Sequence, residues 1–413
     1  MAREFMMLSQ AMMAALFVCC LYQGFYTLLT LVKKPRYPAA ECRRRYAVLI
    51  CARNEQAVLP ELLRSIRAQD YPGGADVYVA ADNCTDATAA VARAEGAVCF
   101  ERFDQRQVGK GYALDFLLHR IWALGRRYDG YFVFDADNLL KPDFIRRMDA
   151  AFGPECPIVT GYRNSKNYRG WIAGGYALCF IREARYLNAA RMMLGTSCTV
   201  TGTGFLVSEE VLRQAGGWPW HLLCEDFQFS AEQILAGRRI GYCADAEFFD
   251  EQPESLAASI PQRMRWCKGF MQVVNRYGFA MARAALRGNF ACADILLCNM
   301  PMILFSALSL LFAAAASILS GHPAALFSTV GAMAAGSYCS LLAMGTLAGI
   351  TEWKHIHASA GQKIASFFTF PLYMATYLPI ALAACFAKVG WTPVRHTVTV
   401  NLEQVQARSR KTA

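Results

Sequence analysis

Four long runs of the chain contain neither a charged residue nor a histidine. They cover residues 5–32, 295–321, 323–351 and 364–387. Each exceeds the roughly 20 residues that a helix needs to cross a bilayer. No comparable run occurs between residues 32 and 295. The sequence therefore predicts one globular domain of about 260 residues between membrane anchors.

The first run follows Arg3, as the apolar core of a signal peptide would. It is too long for that role, has no obvious small-residue cleavage site, and precedes basic residues. We therefore expect a transmembrane helix over residues 1–32. By the positive-inside rule, the basic cluster beyond it places the domain in the cytosol of a protein integral to the cell membrane. The cluster consists of Lys33, Lys34, Arg36, Arg43, Arg44 and Arg45.

Composition excludes an ordinary soluble enzyme, because hydrophobic residues make up 55% and charged residues only 18%. The net charge of +10 could indicate nucleic acid. The basic residues instead gather beside the membrane runs and form no aromatic stacking platform, so we expect anionic lipid and phosphates, and no nucleic acid, as partners.

The 16 cysteines include no CxxC pair or zinc spacing and are typical of buried apolar side chains in a reducing compartment.

Short apolar runs at residues 47–51, 76–80, 98–100 and 131–134 alternate with segments of helical spacing. This alternation predicts an α/β domain with a parallel sheet covered by helices on both faces. Ligands bind such sheets beyond the carboxyl ends of the strands. Glu55, Asp82, Asp135 and Asp137 follow three of these runs, and we expect them around one crevice.

Asp135 and Asp137 have the spacing of a clamp for a metal ion and a diphosphate. Residues i and i+2 at a strand end project to the same side, so both carboxylates can reach one hard divalent cation. A solvated turn before Pro142 is the simpler alternative. Lys110, between two glycines, can supply charge to a phosphate, although an exposed turn explains the pattern equally well.

Two further motifs follow along the chain. Glu225-Asp226 comes after a Gly-Gly-Trp segment, and residues 262–266 read Gln-Arg-Met-Arg-Trp. A Glu-Asp pair is common, and a basic aromatic segment also suits a helix edge near a membrane. The ordered set of motifs is far more specific than any one of them.

With these motifs in this order, the chain resembles the membrane-integrated family 2 glycosyltransferases, which include hyaluronan, chitin and cellulose synthases and ceramide glucosyltransferase. The resemblance covers roughly residues 47–269 and includes a complete QxxRW signature. It implies a GT-A-like, Rossmann-type nucleotide-sugar domain inserted between transmembrane helices. Ala81 departs from the pattern, because many members have an aspartate there, and this leaves Asp82 as the candidate contact to the nucleotide.

The resemblance also implies roles for single residues. Asp226 would be the general base, Trp266 would bind the acceptor, and Asp135 and Asp137 would hold Mg2+ or Mn2+. The residues implied to contact the nucleotide and diphosphate are Glu55, Asp82, Lys110, Asp135, Gln262, Arg263 and Arg265. In the implied single displacement with inversion, the base removes the proton of the acceptor hydroxyl while positive charge stabilises the leaving diphosphate.

We therefore expect transfer of a hexose or N-acetylhexosamine from a UDP-sugar. The acceptor is a growing polysaccharide or, in the alternative, a membrane lipid. The signature occurs in both groups, and the two alternatives are near even, with a slight preference for the polysaccharide. Four apolar runs form a slim conduit for a polymer unless the chain oligomerises or has an accessory membrane partner. The intact motifs disfavour a non-enzymatic membrane protein.

The expected organisation is a cytosolic domain at 33–275, an interfacial amphipathic helix at 276–294, about three transmembrane helices at 295–390 and a polar tail at 391–413. If every run crosses once, the tail is outside. Its basic residues favour the cytosol; they are Lys388, Arg395, Arg408, Arg410 and Lys411. A run that lies flat or re-enters, broken at Pro301, Pro371 or Pro379, would remove this conflict. The segment from Trp391 to His396 is similar to tail segments that lie against the donor site in related synthases.

Overall fold

The computed structural model describes residues 1–393 and 396–410, without the side chains of residues 299–303, 325 and 408–410. Of the basic tail residues, Arg395 and Lys411 thus lie outside the described residues, as do the side chains of Arg408 and Arg410. The Pro301 side chain is likewise outside them.

The domain is built on one mixed sheet, in which eight strands are described. The strands are β1 (Tyr46–Ala52), β2 (Ala75–Asp82), β3 (Val98–Arg102), β4 (Gly130–Asp135), β5 (Leu139–Leu140), β6 (Ile158–Ser165), β7 (Phe205–Ser208) and β8 (Ile240–Asp250). Their order across the sheet is β3-β2-β1-β4-β7-β6-β8-β5. The four predicted strands correspond to β1, β2, β3 and β4.

The prediction of a parallel sheet holds for β1 to β4 and for the pair of β6 and β8, and is wrong for β7 and β5. Strand β7 pairs antiparallel with both β4 and β6, and β5 pairs antiparallel with β8. Two antiparallel steps restore the direction, so β6 and its parallel neighbour β8 run the same way as β4. The carboxyl ends of six strands therefore lie along one edge, where a ligand site is expected.

Helices cover both faces of this sheet. In chain order, the helices of the protein up to residue 235 are α1 (Ala2–Val32), α2 (Leu59–Arg67), α3 (Thr88–Ala94), α4 (Lys110–Ala123), α5 (Phe144–Ala151), α6 (Gly170–Arg182), α7 (Ala189–Leu194), α8 (Glu209–Ala215) and α9 (Glu225–Leu235). A π-helical segment, Glu183–Asn188, joins α6 to α7. Apolar side chains at helical spacing on α4 are buried against one face, and those of α2 against the other. Burial of each such leucine or isoleucine contributes about 1.5–3 kcal/mol.

The remaining helices are α10 (Leu256–Leu286), α11 (Phe290–Ser320), α12 (Ala324–Thr351), α13 (Ala360–Ala375), α14 (Tyr377–Phe386) and α15 (Leu402–Arg410). The expected separate helix at 276–294 is wrong, because α10 runs unbroken through residue 276. It ends only before Gly288, whose φ of +96° a helix cannot accommodate. Phe279 and Leu286 are 84% and 91% exposed, as an interfacial surface requires, whereas Met281 is buried.

The last apolar run is a broken helix. It continues through Pro371 within α13 and breaks at Thr376, three residues before Pro379. The tail is not merely polar, because α15 buries Val405 against Leu139 and Phe249.

Among the described residues, three helices are long and apolar enough to cross a membrane: Ala2–Val32, Leu326–Thr351 and Ala360–Phe386. In α11 the described apolar stretch is Leu304–Ser320. Only 6% of the most apolar window of α1 and none of that of α12 is buried, against 39% for the third helix. The third helix differs because it packs on α6 and α10 of the domain.

Helix α1 packs along α11. The Ser9 hydroxyl lies 2.9 Å from the Ser309 hydroxyl. Nearer the domain, Tyr26 donates a hydrogen bond to Asp294 at 3.1 Å, and Arg191 of α7 pairs with the same carboxylate at 2.8 Å. The amino-terminal helix is thus attached to the domain through a buried ion pair.

Candidate active site

The loops after β1 and β2 are tied together at the ligand edge. Asn54 has a φ of +58°, and its side-chain oxygen accepts a hydrogen bond from the Thr85 N–H at 2.7 Å. The Glu55 N–H donates to the Thr88 hydroxyl at 2.9 Å. Burial raises the pKa of the Glu55 carboxyl, and its Oε2 has no hydrogen-bond partner among the described residues. Glu55 therefore lies in the predicted crevice with one oxygen available.

Asp82 ends β2, where it is paired with a residue that the sequence analysis did not identify. Arg102, at the end of β3, donates from Nη1 to Asp82 Oδ1 at 2.7 Å, and both side chains are buried. This ion pair fixes the carboxylate beside the mouth of the sheet.

Lys110 and Asp135 are in direct contact. The Lys110 ammonium forms an ion pair with Asp135 Oδ1 and donates to the Gly202 carbonyl at 2.7 Å. Gly202 has a φ of +82°, and a Cβ added there would lie 3.4 Å from Asp226 Oδ2. Lys110, Asp135 and Asp226, which the sequence analysis assigned to one site, thus meet around Gly202.

Asp137 is buried at the neighbouring strand ends. Its Oδ2 accepts a hydrogen bond from the Glu251 N–H at 2.8 Å. Asp250, which ends β8, pairs with Arg163 near the end of β6, with an Nε–Oδ2 distance of 2.9 Å. Burial raises the pKa of Asp250 to about 6; Arg163 opposes this effect and Asp137 adds to it. Arg163 and Asp250 were missed because β6 and β8 were not predicted, although the rule of carboxyl strand ends would have found both.

Glu225 and Asp226 form the first turn of α9, where the helix dipole favours negative charge. Burial raises the pKa of both carboxyls. The pKa of Glu225 is raised further by the Asp226 charge. For Asp226 the rise in pKa is opposed by the hydrogen bond from the Phe227 N–H and by the charges of Arg265, Lys110 and Arg163. The positive charges of Arg265, Lys110 and Arg163 thus favour the ionised form of Asp226, as a base requires.

The residues of the QxxRW segment point in different directions. Gln262 accepts a hydrogen bond from the Tyr176 hydroxyl at 3.0 Å. Arg263 is fully buried, and its guanidinium lies 4.8 Å from the centroid of the Tyr373 ring and 4.9 Å from that of Tyr377. Its Nη1 donates to the Thr376 hydroxyl at 2.6 Å. These contacts are with α13 and α14, so the predicted contact of Arg263 with a diphosphate has no counterpart among them.

Arg265 is close enough to Asp226 for its charge to lower the pKa of that carboxyl, and Trp266 is the next residue in the chain. Arg265 is partly exposed and, within the described chain, forms no ion pair at hydrogen-bonding distance. Trp266 is partly buried and meets Tyr176 and Phe180 edge to face, with ring centroids 5.8 and 6.4 Å apart. An uncommitted guanidinium thus lies near the candidate base, and the indole of the following residue is held by two aromatic rings.

The carboxyl-terminal tail lies across the crevice, as the likeness to other tail segments implies. His396 Nδ1 is 2.8 Å from Glu55 Oε1. The N–H groups of Thr397 and Val398 donate to the Glu251 carboxylate at 2.9 and 3.0 Å. Glu251 therefore connects Asp137, through its backbone, with the tail, through its side chain.

The acidic residues suit a divalent cation whose coordination is completed by a bound ligand. Among the described residues, no three His, Cys, Asp or Glu side chains are grouped to hold a metal ion. The oxygens of Asp135 and Asp137, with the unpaired Glu55 Oε2 nearby, are hard donors of the kind that Mg2+ and Mn2+ prefer. The residues thus fit a cation whose remaining ligands are phosphate oxygens.

The sequence from residue 43 to residue 269 matches the profile of the family described as "Glycosyltransferase like family 2", which is more than half of the chain. The chain belongs to this family. Family membership confirms the class of enzyme that the motifs predicted, and the conserved domain coincides with the sheet and the helices that carry the site.

Two relatives illustrate the range of this glycosyltransferase family. A β-monoglucosyldiacylglycerol synthase of Synechocystis sp. is 24% identical over 238 residues, which are 54% of this chain and 47% of the relative. A poly-β-1,6-N-acetyl-D-glucosamine synthase of Staphylococcus epidermidis is 23% identical over 230 residues, 55% of each protein. The chain thus spans about half the length of the curated relatives that it matches.

A solved structure confirms the predicted GT-A-like fold. A mannosyltransferase of Pyrobaculum calidifontis, in complex with GDP-Man and Mn2+, superimposes with a TM-score of 0.60 at 18% identity. The alignment covers 92% of this chain and 99% of the mannosyltransferase. The likeness extends beyond the family 2 domain into the apolar helices that flank it.

Proposed function

We propose that this protein transfers a hexose or N-acetylhexosamine from a UDP-sugar to a membrane-associated acceptor, with inversion at the anomeric carbon. One observation carries the proposal: the Asp226 carboxylate lies against Gly202, whose carbonyl holds Lys110. Only Gly202 thus lies between Asp226, the candidate base, and the Lys110 ammonium, which would face the diphosphate. A donor bound over Asp135 and Lys110 presents its anomeric carbon toward Asp226.

The reaction follows from these positions. Asp226 takes the proton of the acceptor hydroxyl while that oxygen bonds to the anomeric carbon, and the bond from that carbon to the diphosphate oxygen breaks. Lys110 and Arg265 stabilise the charge of the departing nucleoside diphosphate. Mg2+ or Mn2+, held by Asp135 and Asp137, would neutralise further charge on that diphosphate. The mannosyltransferase complex with GDP-Man and Mn2+ supports a nucleotide-sugar donor and a divalent cation.

A lipid acceptor is favoured by the exposure of the membrane helices. In the described chain, almost none of the most apolar windows of α1 and α12 is buried, so these helices enclose no conduit of their own. The head group of a lipid acceptor would then meet Trp266, whose indole is held by Tyr176 and Phe180. We therefore place a lipid acceptor ahead of the polysaccharide that the motifs slightly favoured. The relative that makes poly-β-1,6-N-acetyl-D-glucosamine keeps a polymer product as the second candidate, which would require oligomerisation or a partner.

The contacts of α13 and α14 suggest a membrane topology. Lys363, at the start of α13, donates at 2.8 Å to the carbonyl of Trp353, in a loop whose His355 carbonyl accepts a hydrogen bond from Asn164 of the domain at 2.7 Å. Lys268 of α10 donates to the Ala384 carbonyl at the end of α14 at 3.0 Å. Both ends of the pair thus lie beside the domain. We propose that α1, α11 and α12 cross the membrane, while α13 and α14 lie along its cytosolic face. The tail is then cytosolic, as its charge and its contact with Glu55 require.

A panel of labelled UDP-sugars tests the function. Membranes containing the protein are incubated with each donor and Mg2+ or Mn2+, and products are separated by organic extraction and by size. One donor should give a labelled product of low mass in the organic phase, and the Asp226→Asn variant should give none. A labelled chain of high mass would favour the polymer. Failure of every donor to yield any product or UDP would contradict the proposal.

A further inference from the structure

The connection between α7 and β7 ends in a tight turn, residues 201–203, which we call the junction loop. Thr201 and Thr203 pair across Gly202, whose φ of +82° lies in the left-handed region that favours glycine. The Gly202 carbonyl accepts a hydrogen bond from the Lys110 ammonium at 2.7 Å, and a Cβ added to Gly202 would lie 3.4 Å from Asp226 Oδ2. The position of the junction loop therefore sets the distance between the Lys110 ammonium and the candidate base.

The junction loop is also bonded to the strand that ends in Asp135. The Thr203 hydroxyl accepts a hydrogen bond from the Asp135 N–H at 2.9 Å and donates one to the Asn138 side-chain oxygen. Asn138 in turn donates to Asp250 Oδ1 at 3.0 Å. Thr203, Asn138 and Asp250 are all buried, so water does not compete for these hydrogen bonds. The backbone of Asp135, a candidate metal ligand, is thus held by the same loop.

Arg163 holds the other side of the junction loop. Its Nη1 donates to the Thr201 carbonyl at 3.0 Å, its Nε donates to Asp250 Oδ2 at 2.9 Å, and its guanidinium lies 4.0 Å from the centroid of the Phe180 ring. These contacts use the edges and one face of a planar group, which the point charge of a lysine could not make together. Phe180 meets Trp266 edge to face. Arg163 thus lies between the junction loop and the aromatic wall that holds the candidate acceptor residue.

We propose that Arg163 is a positioning residue for sugar transfer, which holds the junction loop where the donor and the base meet. The inference rests on the proposed function, because it takes Lys110 and Asp135 as donor contacts and Asp226 as the base. Stability alone does not account for the Arg163 ion pair, because buried ion pairs contribute little net stability compared with apolar packing. Geometry does account for it, since a shift of about 1 Å in a catalytic group can lower the rate about a hundredfold.

The first test replaces the guanidinium and keeps its charge. In Arg163→Lys the ammonium can still pair with Asp250, but it cannot also reach Thr201 and stack on Phe180. With the full-length protein and its preferred UDP-sugar, kcat should fall about tenfold to a hundredfold, the usual loss when an outer partner of a catalytic ligand is removed. The affinity for Mn2+ in the presence of UDP, followed by electron paramagnetic resonance, should fall as well, because Asp135 is anchored to the loop.

The second test loosens the junction loop and leaves Arg163 in place. Thr203→Val removes only the hydroxyl that joins Asp135 to Asn138, and it should lower kcat and the Mn2+ affinity in the same way. The double variant Arg163→Lys with Thr203→Val should lose little more than the more impaired single variant, because both substitutions act through one loop. If Arg163→Lys fails to fold, Arg163→Met combined with Asp250→Asn removes both buried charges and carries the same expectation.

Arg239→Lys is the matched control. Arg239 likewise donates to backbone carbonyls of the chain before β7, those of Met192 at 2.8 Å and Thr196 at 3.1 Å. It immediately precedes β8, however, and so lies at the opposite edge of the sheet from the junction loop. Because its contacts are remote from the site, the kcat and the Mn2+ affinity of Arg239→Lys should match those of the wild type.

Wild-type kcat in folded Arg163→Lys or in Thr203→Val would overturn the inference, and so would an equal loss of kcat in Arg239→Lys. Losses that multiply in the double variant would mean that Arg163 acts independently of the junction loop, which also overturns it. If the wild type releases no UDP from any donor, the proposed function itself fails, so the two failures are distinguishable.

Discussion

The Arg263 guanidinium donates a hydrogen bond to the Thr376 hydroxyl at 2.6 Å, at the residue where α13 gives way to α14. A second bond, at 3.4 Å, reaches the Tyr373 carbonyl. Pro379, three residues beyond Thr376, has no N–H to donate within the helix, so the ladder of backbone hydrogen bonds is interrupted here. Arg263 thus secures a helix break with a side chain from the segment that also carries Arg265 and Trp266. The QxxRW segment and the pair of helices α13 and α14 are therefore mechanically joined.

Asp226→Asn should abolish transfer while leaving UDP binding close to normal. The amide cannot take the acceptor proton, and loss of a general base typically lowers the rate about a hundredfold to ten-thousandfold. Initial rates of product formation and UDP binding are measured on the same folded sample. Glu225→Gln, at the neighbouring position, is the control, and it should lose much less activity because proton removal is assigned to Asp226 alone. Near-full turnover of Asp226→Asn would refute the assignment of the base.

Activity should require Mg2+ or Mn2+, and Asp137→Ala should lose both metal dependence and donor affinity. The substitution removes a buried carboxylate just beyond the end of β4. The cation loses a hard oxygen ligand, and the diphosphate loses the cation that would bind it. The measurement is the donor KM as a function of metal concentration, with Asp245→Ala, an exposed aspartate of β8, as the control. Full activity in excess chelator would contradict the metal role of Asp135 and Asp137.

The acid limb of the pH profile should report on Asp226. Burial raises its pKa above the ordinary value for an aspartate, and Arg265 is among the charges that oppose this effect. The rate depends on the ionised carboxylate, so it rises with pH through that pKa. Arg265→Gln removes an opposing charge, raises the pKa further and should move the limb of kcat/KM to higher pH. In Arg263→Gln the limb should stay in place although stability falls, and a shift of equal size there would exclude this explanation.

Trp266→Ala should abolish transfer to the acceptor while slow hydrolysis of the donor persists. The indole presents a flat apolar face suited to a sugar ring or lipid head group. If Trp266 only anchors the domain at the membrane surface, the substitution should instead lower expression, and the surviving protein should transfer sugar normally. Product and free UDP are measured from one folded sample. Equal loss of transfer and hydrolysis, with UDP binding intact, would fit neither account and would return attention to Arg265.

The sequence predicted the half of the site that local patterns determine. Glu55, Asp82 and Asp135 each follow an apolar run that forms a parallel strand, so their meeting at one edge follows from local pattern and sheet topology. Arg163 and Asp250 could not be placed in this way. Strand β6 ends in the polar residues 163–165, which do not read as a strand, and the position of β8 depends on long-range pairing with β6.

Contacts between residues remote in sequence were also beyond prediction. His396 meets Glu55 across 341 positions, and Arg263 meets Thr376 across 113. Pro379 marked a possible break in the last run, but nothing local indicates that a domain arginine secures it. The full length of α10 was missed for a related reason. Its polar and apolar halves contact different surroundings and so differ in sequence pattern, while the helix backbone continues without a break.

The membrane topology gives the last prediction. With three crossings, the turn between α11 and α12 lies outside the cell and the segment after α14 lies in the cytosol. A protease site inserted after Gly321 should therefore be cut in intact cells, whereas one inserted after Gly390 should be cut only after the membrane is opened. The physical reason is that Lys268 holds the end of α14 beside the domain, while Asn164 of the domain holds the loop to which Lys363 of α13 is bonded. Cleavage at both sites in intact cells would mean that the pair crosses the bilayer, and the contact between His396 and Glu55 could not then form in the membrane.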